Sequence, residues 1–177
     1  MQLTEYRREY SDDAEEEEEQ LNFCGFDMQR IRYSFDALEK ECIAEGVDLS
    51  FLDNFIIDGQ WNQNYSYEEK KDILMKLKKT LELKEFNGDL IHFVDVLLQN
   101  IEVLHRKDTD GSLLRDQCMA ENVSWILQKE QQRGNDCIFI SGHNEHVAKW
   151  GSYDSMGKLL SNQYRYYVIG TNFYKTR

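Results

Sequence analysis

Only three runs between Leu21 and Gly170 have the length and composition of β-strands, and the long interval between the first two is filled by helical periodicity. No other feature constrains the chain as much. The runs cover residues 21–29, 137–141 and 164–170. Strand, several helices, strand, short helix, strand is the order of an α/β domain, in which helices cover the faces of a sheet. Three strands are few for so many helices, so the expected fold is a partial sheet with several covering helices. A chain of 177 residues is one domain's worth, long enough for a real core, and residues 1–177 are read as one unit.

The helices follow from apolar spacing. Ile31, Phe35, Leu38, Cys42 and Ile43 recur near helical spacing over residues 30–45, and Gly46 stops the run. Residues 48–65 mix apolar and turn residues, with a short helix expected over 49–56. Ser66, followed by Tyr67, Glu68 and Glu69, looks like an N-cap opening a helix that reaches Leu83. A further helix is expected over 88–105. The sequence Asp108-Thr109-Asp110-Gly111-Ser112 predicts a turn with an N-cap at Ser112; the glutamate and ligand spacing of a calcium loop are missing. A helix over 112–132 follows, ended by Gly134, and Ser155-Met156-Gly157 opens a short helix ending near Gln163. Residues 1–10 read as the tail of a helix, and the acidic run within 11–20 as a solvated, flexible loop.

Charge and composition exclude several classes of function. The formal net charge of −12 argues against binding a phosphate backbone, so no nucleic-acid partner is expected. No apolar run approaches the roughly 20 residues that span a bilayer, and the N-terminus lacks the apolar region of a signal peptide. Cys24, Cys42, Cys118 and Cys137 lack CxxC spacing and are expected to be reduced and buried, which points to the cytoplasm.

The chemistry is expected where the run at 137–141 ends. Gly142 is followed by His143, Asn144, Glu145 and His146, two of the four histidines in the chain. Ligands gather beyond the carboxyl ends of strands in α/β proteins, so this junction can deliver imidazoles into a cleft. Three readings stay open: general acid–base work, since histidine titrates near neutrality; a metal site, short of the three or four protein ligands zinc needs; and two loop histidines with no role. A serine nucleophile lacks its Gly-x-Ser-x-Gly elbow. Arg115, Asp116, Gln117, Glu121 and Asn122 crowd one helix, where spacing alone makes them a solvated face. Asp27 and Gln29 lie just past the first run, and the pattern favours Asp27 as a helix cap. His92 and His105 read as ordinary histidines.

Four segments together resemble the erythromycin esterase family. Gly142 to Val147 is similar to that family's AHN-x-HV segment, Arg115 to Asn122 to its RD-x-x-MAEN helix, and Phe23 to Gln29 to its GFDMQ strand end. Met156-Gly157 and Tyr167-Val168-Ile169-Gly170 fall where the family has MG and YY-x-IG. The resemblance covers residues 21–173. It implies an α/β hydrolytic fold with a deep cleft roofed by helices, and a histidine general base that activates water to cleave a macrolide lactone or related ester without an acyl-enzyme. It implies no cofactor or metal. His143 and His146 match the family's C-terminal histidine pair, which would polarise the carbonyl or assist the base. Arg115, Asp116, Glu121 and Asn122 become cleft-lining, substrate-binding candidates, as do Asp27, Gln29 and Asn144.

The family's N-terminal Gly-Glu-x-x-His segment, which carries the proposed base, has no counterpart here. The expectation is therefore the C-terminal portion of such a hydrolase, needing a missing N-terminal half or a second copy of the chain for activity. The alternative is a non-catalytic binding or assembly module that keeps the cleft wall.

Overall fold

The computed structural model describes residues 22–84, 86, 88–106 and 108–170. The helix tail expected at 1–10 and the acidic loop expected at 11–20 lie outside the described residues. The order is α1 (Ile31–Ala44), a 3-10 turn (Ser50–Leu52), β1 (Ile56–Ile57), β2 (Gln60–Trp61), α2 (Tyr67–Leu83), α3 (Gly88–His105), α4 (Asp108–Gln132), the single turn α5 (Asn144–Val147) and α6 (Met156–Gln163).

Local chemistry sets most of these bounds. Gly46, at φ +68°, takes the left-handed position after α1, and Val47 N–H reaches back to the Cys42 carbonyl at 2.8 Å, closing a Schellman-type cap. The Ser66 hydroxyl accepts from Glu69 N–H while the Glu69 carboxylate accepts from Ser66 N–H, a complete capping box for α2. Those two hydrogen bonds also hold the exposed Glu69 carboxyl below its ordinary range.

Two expectations change here. Residues 49–56 form no helix beyond Ser50–Leu52; a hairpin follows, with Ile56 paired to Trp61 and Ile57 to Gln60. Its two loop residues, Asp58 and Gly59, both have positive φ, as an Asp-Gly hairpin turn requires. The expected turn at 108–112 is instead the first turn of α4. A Cβ on Gly111 would lie 2.9 Å from the Arg106 carbonyl oxygen, so this glycine permits close packing on the end of α3.

α3 is the organising element, packing against α1, α2 and α4, while α4 packs on α6. Two apolar clusters result. One joins Leu38 of α1, Leu74, Leu77 and Leu81 of α2, and Leu90, Val94 and Leu97 of α3 to Phe55 and Trp61. The other joins Met119 and Val123 of α4, Met156 and Leu160 of α6, and Val147, Met28 and Val96. A buried polar link ties them: Trp61 Nε1 donates to Asn100 Oδ1 at 2.6 Å, and Asn100 Nδ2 donates to the Met28 carbonyl at 3.0 Å.

The sheet is smaller than expected. The described residues are mostly helical, with one two-stranded antiparallel sheet, an arrangement compatible with an α/β fold. The runs at 22–29, 137–141 and 164–170 pair with no strand among the described residues. Their side chains nevertheless alternate like those of strands. Ile138 and Ile140 pack against the second cluster while Phe139 is 86% exposed; Tyr164 and Tyr166 turn inward while Tyr167 is 82% exposed. Composition sets this alternation, but a strand also needs a neighbouring backbone to bond, which these runs do not find here. The cysteines divide as well: Cys42 and Cys118 are buried, whereas Cys24 and Cys137 are exposed. No described helix is long and apolar enough to cross a membrane.

Candidate functional site

The two histidines stand on α5, one helical turn, and not on an open loop. His143 is its N-cap, and its carbonyl accepts from His146 N–H at 3.0 Å and Val147 N–H at 3.2 Å. This turn is braced from behind at several points. Tyr166 hydroxyl donates to the Val147 carbonyl at 3.2 Å, and Ser155 hydroxyl to the Ala148 carbonyl at 2.8 Å. The first turn of α6 presses on the same backbone: a Cβ on Gly157 would fall 2.3 Å from the Val147 carbonyl oxygen. Only glycine fits there without displacing main chain.

Asp116 reaches this turn from α4. It is 1% exposed. Its Oδ1 lies 2.9 Å from His146 Nδ1 and accepts Met156 N–H, at the start of α6, at 2.8 Å. A carboxylate can only accept, so Nδ1 carries the proton and the neutral ring keeps its lone pair on Nε2. The His146 side chain is 24% exposed against 2% for that of Asp116, so the oriented imidazole faces out of the fold. His143 is exposed, its ring centre 6.5 Å from that of His146. Asn144, the first residue of α5, is also exposed.

The remaining candidates separate. Arg115 forks onto Asp27, Nε to Oδ1 at 3.2 Å and Nη2 to Oδ2 at 2.6 Å, fastening the segment before α1 to α4. Asp27 does not cap α1, whose N-cap is Arg30; its carboxylate accepts from Gln29 N–H at 3.3 Å, and Gln29 itself is exposed. Glu121 and Asn122 lie on other faces of α4, about 140° and 120° from Asp116 at roughly 100° per residue. They line a groove between α2, α3 and α4, not the imidazole turn. Among the described residues no group of three or more histidine, cysteine or acidic side chains is placed to hold a metal.

Sequence reasoning missed Ser155, Tyr166 and Gly157 as supports of the histidine turn. It also missed that His92 stacks flat on Trp125, ring centres 3.8 Å apart. Only Gly157 carried a signal, being a glycine at the start of a helix, where glycine is otherwise unfavourable.

The family model for erythromycin esterase matches residues 67–177. That span includes the segments at 115–122, 142–147, 156–157 and 167–170, while the segment at 23–29 precedes it. No curated protein and no solved structure matches the chain.

Proposed function

Because the chain belongs to the erythromycin esterase family, we propose that it takes part in ester hydrolysis, with the Asp116–His146 pair as its acid–base element. The 2.9 Å contact between the buried carboxylate and Nδ1 carries this reading. In it, His146 Nε2 takes a proton from water while the hydroxide adds to the ester or lactone carbonyl. The imidazolium then returns the proton to the leaving alkoxide, giving acid and alcohol. Asp116 is a positioning residue: it fixes the tautomer and stabilises the charged ring. His143, exposed beside it, polarises the carbonyl. Arg115, Asp27, Gln29 and Asn144 border the substrate, with Arg115 and Asp27 holding each other in place. No cofactor is needed, and the substrate class is a macrolide lactone or related ester.

The family's Glu-x-x-His base is supplied, in this reading, by a further polypeptide that completes the sheet. The test is to incubate erythromycin with the 177-residue chain, alone and with a family N-terminal segment added in trans, and to follow the addition of one water by mass spectrometry. Hydrolysis only with the added segment, abolished by His146→Ala, is the expected result. Hydrolysis by the chain alone would place the base at His146 or His143 and remove the need for a partner. No turnover in either sample, across macrolides and simple esters, would sink the hydrolytic reading.

One observation favours a second reading, a binding or assembly module. Phe139, Tyr167 and Ile169 are 86%, 82% and 87% exposed, an apolar face suited to covering by another chain.

A further inference from the structure

The groove between α2, α3 and α4 is a second site, separate from the imidazole turn, and the hydrolytic reading is not needed for it. It encloses about 520 Å³, within the usual range for small-molecule pockets. α3 forms its floor; Met75 of α2 and Leu114 and Trp125 of α4 form its walls, with Leu98 and Ile101 below. His92 of α3 stacks on Trp125 at 6° between ring planes, giving one wall a flat aromatic surface.

The polar groups in this groove are unevenly satisfied, and the imbalance has one sign. Lys78 neutralises Asp95, and Lys71 and Arg106 neutralise Glu102. Asn122 Nδ2 donates to both the Phe26 carbonyl and Gln99 Oε1, at 2.9 Å each, which uses both its protons and fixes its orientation. Gln99 Nε2 in turn donates weakly to Glu121 Oε2, at 3.4 Å. Two acceptors are left. Asn122 is 2% exposed and its Oδ1 has no hydrogen-bond partner; the Glu121 carboxylate has that one long contact and no ion pair among the described residues. A buried acceptor without a donor is costly, and an unpaired carboxylate at an apolar wall attracts a cation.

We propose that this groove binds an amphiphilic ammonium ligand. Its N–H groups satisfy Glu121 and Asn122 Oδ1, and its apolar body lies along Met75, Leu98 and Trp125. A neutral alcohol of the same length lacks the charge for Glu121, and an anion is repelled.

The probes are octylammonium chloride and 1-octanol, titrated into the whole chain by calorimetry, with the Trp125 indole and Asn122 side-chain amide signals followed by NMR. Octylammonium is expected to bind at least tenfold more tightly than octanol and to shift both signals. Glu121→Gln should weaken octylammonium at least tenfold, and Met75→Trp, at a half-exposed position, should block the groove while leaving the fold intact. Glu68→Gln, at an exposed residue in the first turn of α2, should change nothing. Equal binding of octanol, equal losses in Glu121→Gln and Glu68→Gln, or binding that leaves the Trp125 and Asn122 signals unmoved would overturn the site.

Discussion

Asp116 is the residue on which most of the site depends, because one oxygen serves two roles. It accepts from His146 Nδ1 and from Met156 N–H, so it orients the imidazole and holds the start of α6 together. Substitutions should separate these roles. Asp116→Ala leaves the Met156 N–H buried and unpaired, and should cost about 1–3 kcal/mol in chemical denaturation. His146→Ala removes a partly exposed ring and should leave stability within about 1 kcal/mol, while turnover of the reconstituted enzyme falls by about a hundredfold to ten-thousandfold. Unchanged turnover in His146→Ala would end its assignment as the acid–base group. At this scale, residue types were legible and pairings were not. The sequence singles out both His146 and Asp116, but 30 positions separate them, and only the crossing of α4 behind α5 makes them a pair.

At the scale of elements, helix bounds set by local chemistry could be read directly: the Ser66–Glu69 box and the left-handed Gly46 belong to adjacent residues. Where a boundary depends on another element, reading failed. Gly111 resembles a turn glycine, but its purpose is contact with α3. Gly157 makes the same point at the site, and Gly157→Ala should destabilise by about 1–3 kcal/mol because its methyl would displace the Val147 backbone. A melting temperature equal to the parent's would mean that α6 shifts freely. The seam between α3 and α4 should be sensitive to pH. Burial of His92 against Trp125 pulls its pKa below 6.5; Asp95 and Asp89 oppose this shift, and Lys129 adds to it. A histidine lowered in the folded state contributes stability that is full above 6.5 and is lost as pH falls through its folded value. Thermal melts should therefore fall more steeply below pH 6.5 for the parent than for His92→Phe, which keeps the ring but cannot titrate. Parallel curves would show that His92 contributes nothing to the acid limb.

Over the whole molecule, two apolar clusters share α3, and the three strand-like runs sit on the second of them with their outer faces exposed. Large exposed apolar patches mark surfaces that other chains cover. Light scattering should show self-association rising with concentration despite the net charge of −12, and Phe139→Lys with Ile169→Lys should restore a monomer. A parent chain that stays monomeric at high concentration would remove the case for a covering partner. What the sequence determined by itself was everything carried by near neighbours: the helical periodicity, two of the caps, the alternation of the three runs, and the motif segments that place the chain in its family. Tertiary structure alone decided the rest. Whether an alternating run becomes a strand depends on a second backbone to bond with, and whether Asp116 binds substrate or orients a histidine depends on which helix crosses behind it. Both are matters of what lies across space, which neither periodicity nor composition encodes.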